Sequence, residues 1–250
     1  MGQLQGKVAI VTGAGGGFGE GIARLYAQEG AKVVVADINK EAADRVAGAL
    51  GAAAFAIKGD VSVRADIDAI VQAAQDQFGA IDIVVNNAAI THKNQPMLDV
   101  DEATFDRMFD VNVKSIYHMA HAVVPVMRKQ GRGVILNIGS TAGIRPRPGL
   151  SWYNASKGAV NVLSKSMAVE LGPEKIRVNA ICPVMGVTGM FELFMGAPDT
   201  PENRQKFLAR IPLGRFTRPL DVAHAAVYLL ADASRWVTGT SLVMDGGAVL

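Results

Sequence analysis

Short runs rich in valine and isoleucine alternate with longer helix-period segments along nearly the whole chain, and no other feature restricts its fold as much. Residues 7–12, 32–37, 53–58, 81–86, 133–139 and 176–182 are apolar runs without polar alternation. Such runs suit strands covered on both faces, as in a parallel sheet. Between them, Phe18, Ile22, Leu25 and Tyr26 form one helical stripe, and Ile67, Ile70, Val71 and Ala74 another. The longest helical segments are 102–130 and 151–171, and a final helix (220–230) precedes a seventh strand (240–244). Strand, helix, strand in repetition implies right-handed crossovers. The predicted fold is a Rossmann-like, doubly wound α/β domain: a seven-stranded parallel sheet with helices on both faces.

At 250 residues, half of them hydrophobic, the chain has material for one large core. With no repeat, linker or low-complexity segment, residues 1–250 read as a single domain. The 25 basic and 23 acidic residues nearly cancel, which gives no reason to expect a nucleic-acid or membrane partner. The longest uncharged stretch, 178–191, is too short to span a bilayer and is broken by Pro183, Gly186 and Gly189. The N-terminus lacks the apolar core of a signal peptide, and the one cysteine, Cys182, has no internal partner. A cytoplasmic location is expected.

The first strand runs into Thr12-Gly13-Ala14-Gly15-Gly16-Gly17-Phe18-Gly19, where a helix begins. Glycines there let the backbone approach a pyrophosphate, and the helix N-terminus offers free N–H groups and the positive end of its dipole. The alternative is a glycine-rich turn that merely reverses the chain. Asp37 ends the second strand, where a carboxylate can accept hydrogen bonds from a ribose; by itself it could simply start a turn. Asp60-Val61 and Asn86-Asn87-Ala88-Ala89 follow strands three and four at the same sheet edge, the edge at which open α/β sheets bind ligands.

Tyr153 and Lys157 sit four residues apart at the start of the helix before strand six. That spacing shares one helix face, so the ammonium is expected to lie near the phenol and lower its pKa. Ser140 ends strand five and adds a hydroxyl, either for chemistry or to cap the turn that follows.

With these residues in this order, the chain resembles the short-chain dehydrogenase/reductase family, in its single-domain type near 250 residues. Thr12 to Gly19, Asn86–Ala88, Asn112, Ser140, Tyr153 and Lys157 carry the resemblance. Two positions depart from the family's pattern: Ala89 stands where a glycine is usual, and Val184 follows Pro183 in place of glycine. The resemblance implies NAD as cofactor, with Tyr153 as general acid or base, Lys157 tuning it and holding the ribose, Ser140 orienting a carbonyl and Asn112 joining a water relay. The implied cofactor wall is Gly13, Gly17, Phe18, Gly19, Asp37, Ile38, Asp60, Val61, Asn87, Ala88, Pro183 and Thr188, with Tyr153 and Lys157. It implies a small alcohol or carbonyl substrate and a homotetramer packed through 102–130 and 151–171, with 240–250 at another contact. Ile116, Met119, Val123 and Val124 supply the apolar circumference that motivates the assembly.

The irregular stretch 183–219, rich in Met, Phe, Gly and Pro, reads as a substrate lid at about 184–218, with Met185, Met190, Phe191, Phe194 and Met195 as an apolar wall or as ordinary core. The four histidines show no ligand spacing, so no metal is expected, and His92 and Gln95 read as solvated loop residues. Arg145, Arg147 and Trp152 flank the Ser–Tyr segment and touch either substrate or a neighbouring subunit. The leading reading is a dehydrogenase interconverting a secondary alcohol and a ketone with NAD preferred. Its alternatives are a 3-oxoacyl thioester reductase acting on carrier-bound substrate, and a nucleotide-binding sensor or scaffold without catalysis.

Overall fold

The computed structural model describes residues 2–250. Seven strands, β1 (Val8–Thr12), β2 (Lys32–Asp37), β3 (Ala54–Lys58), β4 (Ile83–Asn86), β5 (Gly133–Ile138), β6 (Ile176–Pro183) and β7 (Ser241–Met244), form one parallel sheet in the order β3-β2-β1-β4-β5-β6-β7. The order reverses between β1 and β4, which opens a crevice at their C-terminal ends.

The absence of polar alternation has a direct cause. Along β1 and β2, Ala9, Val11, Val33 and Val35 point into a core shared with α1 (Gly17–Gln28), α2 (Lys40–Leu50) and α9 (Pro219–Leu230). Ile10, Val34 and Ala36 point into a second core, against α3 (Arg64–Phe78), α5 (Ser115–Gln130) and α6 (Ser151–Leu171). Each fully buried valine or isoleucine contributes about 1.5–3 kcal/mol, so both faces select for apolar residues. Strand β4 starts at Ile83, not 81, because the Ile81 N–H is taken by the Gln130 side chain at 3.0 Å.

Segment 102–130 is not one regular helix. It divides into α4 (Glu102–Phe109), a wide π turn over Asp110–Lys114, in which the Ser115 N–H reaches back five residues to the Asp110 carbonyl, and α5. Ile116, Met119, Val123 and Val124 are all buried within the chain, so they offer nothing to a partner. The exposed apolar residues on these helices are instead Tyr117 on α5 and Val162 and Val169 on α6.

The stretch after β6 is more ordered than its composition predicts. It contains α7 (Phe191–Met195) and α8 (Pro201–Leu208), a bridge between Gly186 and Thr217 ties its ends, and Met185, Phe191, Met195, Ile211 and Phe216 form a small core of their own. No helix among the described residues is long and apolar enough to cross a membrane.

Candidate active site

One cavity of about 400 Å³ runs along the C-terminal edge of the sheet from Asp37 to Tyr153. Its nucleotide half is built where β1 meets α1. Gly16 caps α1 with extended backbone and no side-chain bond, which leaves the N–H groups of the first turn available to an anion. Gly19 faces inward, where a Cβ would collide with the Gly13 carbonyl. Asn87 clamps the loop: its Nδ2 donates to the carbonyls of Thr12 at 2.8 Å and Gly13 at 3.1 Å, while the N–H groups of Asn87 and Ala88 donate to Thr12 Oγ1.

Asp37 closes that end. Its carboxylate accepts the Gly15 N–H at 2.8 Å and the Asn39 N–H at 2.9 Å, so it is fixed in place by the backbone. The neighbouring cations are engaged elsewhere. Lys40 pairs with Asp44, while Arg45 holds Glu20 at 2.7 Å and the Gly15 carbonyl at 2.8 Å. The Arg45 and Arg24 guanidiniums hold the Glu20 carboxyl down at about 2. Beside them Asp60 pairs with Arg107 at 2.8 Å, across 47 residues of chain, a contact that sequence spacing could not reveal.

In the chemical half, α6 presents Tyr153 and Lys157, both buried, beneath Ser140 at the end of β5. Ser140 Oγ accepts the Ala142 N–H at 3.1 Å, capping the turn, and Ser140 lines the cavity together with Tyr153. Lys157 Nζ donates to the Ile138 carbonyl at 2.8 Å and lies 6.0 Å from the Tyr153 ring centroid.

The direction of the tyrosine pKa corrects the sequence expectation. Burial pushes Tyr153 up to about 12, opposed by the nearby Ser140 hydroxyl and the positive charge of Arg147. Burial also brings Lys157 down to about 8. Desolvation penalises both charged forms, and the lysine is directed at a strand carbonyl instead of the phenol.

Of the residues expected in the site, Gly13, Gly17, Phe18, Asp37, Ile38, Asp60, Val61, Asn87, Ala88, Ser140, Tyr153, Lys157, Pro183 and Thr188 all line the cavity. Gly19 and Asn112 do not. Asn112 lies behind the wall in the π turn. Its Oδ1 accepts the Ile90 N–H, and its Nδ2 donates to the Ile90 carbonyl and to Ser156 Oγ, which ties the loop after β4 to α6. Sequence reading missed Arg107, Ile90 and Leu150 on the wall.

Arg145, Arg147 and Trp152 separate clearly. Arg145 donates to the carbonyls of Ala248 and Leu250, and Trp152 Nε1 donates to the Met97 carbonyl; of the three, only Arg147 lines the cavity. Of the five Met and Phe residues, Met185, Met190 and Phe194 reach it, and the Phe194 ring meets Tyr153 edge-on at 5.0 Å. His92 is not solvated as expected. It is buried, with Nδ1 at 2.7 Å from the Lys93 carbonyl, because its loop packs against α7 through the Asn94 N–H and the Leu193 carbonyl.

Asn94 organises that loop. Its N–H donates to the Leu193 carbonyl of α7, its Nδ2 donates to the Pro148 carbonyl, and the adjacent Gln95 N–H donates to the Gly149 carbonyl. Gly149 has φ +76°, and a Cβ there would strike the Asn94 amide, so only glycine fits. No group of three or more potential metal ligands comes together among the described residues.

Comparison with known proteins supplies independent findings. A family model described as enoyl-(acyl carrier protein) reductase matches residues 13–249. A 4-formylbenzenesulfonate dehydrogenase of Comamonas testosteroni is 50% identical, covering 98% of each chain. A 7alpha-hydroxysteroid dehydrogenase of Escherichia coli K12 is 39% identical over 99% of this chain and 96% of its own. The crystal structure of a 3-ketoacyl-(acyl-carrier-protein) reductase from Brucella melitensis, complexed with NADH, superposes with a TM-score of 0.94 at 46% identity, covering 99% of this chain and 100% of that one.

Proposed function

The chain belongs to the short-chain dehydrogenase/reductase family, and from that premise we propose that it transfers a hydride between NAD(H) and an alcohol–carbonyl pair, chiefly a secondary alcohol and its ketone. The observation that carries the reading is the buried Tyr153, on the same cavity as Ser140, the glycine loop and Asp37. The cavity fits a dinucleotide: uncapped N–H groups at α1 for the pyrophosphate, a fixed carboxylate at Asp37 for a ribose, and Lys157 near the reacting end for the second ribose.

Bound NAD(H) supplies or accepts the hydride. In reduction, Ser140 donates a hydrogen bond that orients the substrate carbonyl, and Tyr153 donates its proton to that oxygen. A phenol held protonated by burial is ready for that direction. In oxidation the same oxygen takes the proton back, a step opposed by burial and favoured by the Arg147 charge. Asn112 acts as a positioning residue through Ser156 and Ile90. Tyr153→Phe keeps the ring against Phe194 and removes the exchangeable proton. Turnover is expected to fall by about 10²–10⁴, with NADH binding retained. Loss of less than about tenfold with hydride transfer rate-limiting would refute the assignment.

The finer features belong to the same proposal. NAD is preferred over NADP because of Asp37. Residues 184–218 form a lid over the reacting end of the single domain, with Thr188 and Pro183 against the nicotinamide. The enzyme is a cytoplasmic homotetramer, packed through the exposed face of α6 at Val162 and Val169 and through Tyr117 of α5. One observation favours the second reading, a 3-oxoacyl thioester reductase: the 46% identity to the Brucella melitensis enzyme. Turnover of an acyl-carrier thioester exceeding that of small ketones would decide for it.

A further inference from the structure

The reacting end of the cavity holds a cation whose guanidinium has no polar partner of its own among the described residues. Arg147 lines the same cavity as Ser140 and Tyr153, and its charge is felt by the tyrosine. Prolines on both sides, Pro146 and Pro148, and a bond from Asn154 Nδ2 to its own carbonyl at 2.8 Å, fix its backbone. Its side chain is partly buried, with the guanidinium 5.1 Å from the centroid of the Phe207 ring on α8.

Among the described residues this guanidinium makes no hydrogen bond and no ion pair. The other two cations lining the cavity are engaged: Arg107 by Asp60 and Lys157 by the Ile138 carbonyl. Arg147 instead faces a second positive charge, Arg210, and burial together with that neighbour lowers its pKa. Among the described residues the only carboxylates on the cavity wall are Asp37 at the end of β2 and Asp60 just after β3, three and four strands from Ser140 at the end of β5. At a strand spacing of about 4.8 Å, that is about 14 Å or more away. A withdrawn guanidinium without a counter-ion carries a desolvation cost that an anionic ligand offsets, and its planar fork matches a sulfonate or carboxylate. Leu150, Met190 and Phe194 supply an apolar wall at the same end.

We propose that Arg147 is a specificity residue and that the substrates are aromatic or similarly apolar carbonyl compounds, or their alcohols, carrying a sulfonate or carboxylate away from the reacting carbon. This rests on the reading of the cavity as a hydride-transfer site and deepens it. The guanidinium holds the anionic end in the ground state, and Ser140 and Tyr153 hold the carbonyl oxygen. The 4-formylbenzenesulfonate named for the Comamonas testosteroni relative has this combination of groups.

The test compares three para-substituted series, sulfonate, carboxylate and methyl, each as benzaldehyde and as acetophenone, with NADH and the full-length enzyme. In the wild type, kcat/KM is expected to be at least about tenfold higher for an anionic member than for the methyl compound. In Arg147→Met the anionic-to-neutral ratio is expected to fall about ten- to a hundredfold, mostly through KM, with partial recovery in Arg147→Lys. A ratio unchanged by the substitution, or no wild-type preference for either anion, overturns the proposal. Binding of benzenesulfonate against benzenesulfonamide to the NADH-loaded protein, by calorimetry, tests Arg147 without turnover. Weaker sulfonate binding in Arg147→Met, with sulfonamide binding little altered, supports it, and equal binding of both probes to the wild type overturns it. If no series member is reduced while NADH binds, the hydride-transfer reading fails for these compounds, and calorimetry still decides the role of Arg147.

Discussion

Asp37 is the position at which this enzyme should choose between its two possible cofactors, and the arrangement around it sets the size of the effect. NADP would place a 2′-phosphate against a carboxylate that the Gly15 and Asn39 N–H groups hold in place. At 4 Å, like unit charges repel by about 1 kcal/mol in water and about 4 kcal/mol at an effective dielectric of 20. Relief would require a free cation. Lys40 is paired with Asp44, and Arg45 must abandon Glu20 and the Gly15 carbonyl before it can turn. An exposed pair offers roughly 0–1 kcal/mol in compensation, below most of the repulsion. We expect kcat/KM to favour NAD by at least about tenfold, or about 1.4 kcal/mol. Asp37→Ala should narrow the gap mainly by improving NADP. Adding Glu20→Gln, which frees Arg45, should narrow it further, whereas Glu20→Gln alone should change the preference little while Asp37 still repels. Initial rates of NAD(P)H formation from one alcohol, measured for the four proteins with both cofactors, give all the ratios. Equal use of both cofactors by the wild type would refute the reasoning. So would an Asp37→Ala enzyme that loses NAD activity without gaining NADP activity, since Asp37 would then be only a backbone pin.

Lys157→Met should abolish most turnover yet leave the chain as stable at neutral pH, or more stable by up to about 2 kcal/mol, because the burial cost behind the pKa fall from 10.5 to about 8 exceeds the lost bond to Ile138. Urea unfolding measures this, and destabilisation beyond about 1 kcal/mol would contradict it. The same lowered pKa means that the unfolded wild type binds more protons above about 8, so its Lys157 contribution to stability should rise with pH up to 10.5; the raised Tyr153 pKa works the other way between 10 and about 12. Residues 184–218 should gain hydrogen-exchange protection when NADH binds, and equal protection with and without it would remove the lid. Sedimentation should give a tetramer that Val162→Lys together with Val169→Lys dissociates; a wild-type monomer at micromolar concentration would exclude it.

Much of the architecture was legible because both faces of the sheet are buried, which wrote each strand as an unbroken apolar run. The glycine loop, Asp37 and Ser140 were legible because they stand at strand ends, where the pattern marks a boundary, and Tyr153 and Lys157 because four-residue spacing puts them on one face of α6; all of them line the cavity. The π turn was not, since one residue more per turn over Asp110–Lys114 hardly disturbs a helical stripe. Nor was the Tyr153 pKa. Spacing shows which charge is near, while the larger influence is depth of burial, which depends on Phe194, Leu150 and Met108 from three separate segments. The pairing of Asp60 with Arg107 and the solitary state of Arg147 depend on contacts far along the chain. Apolar circumference misled about assembly, because Ile116, Met119, Val123 and Val124 serve the internal core.

The bonds converging on Asn94 affect how such a pocket can diversify. One side chain and its adjacent backbone fasten α7, the Pro148–Gly149 bend beside Arg147, and their own loop. Those three walls therefore keep a common frame, and the side chains they carry, such as Arg147, Met190 and Phe194, can be exchanged without moving it. Residues 184–218 transplanted from a relative should fit only with the matching loop and bend. The heritable unit of substrate choice in this enzyme is then a discontinuous set of three segments, and recombination that respects all three should yield folded variants far more often than exchange of 184–218 alone.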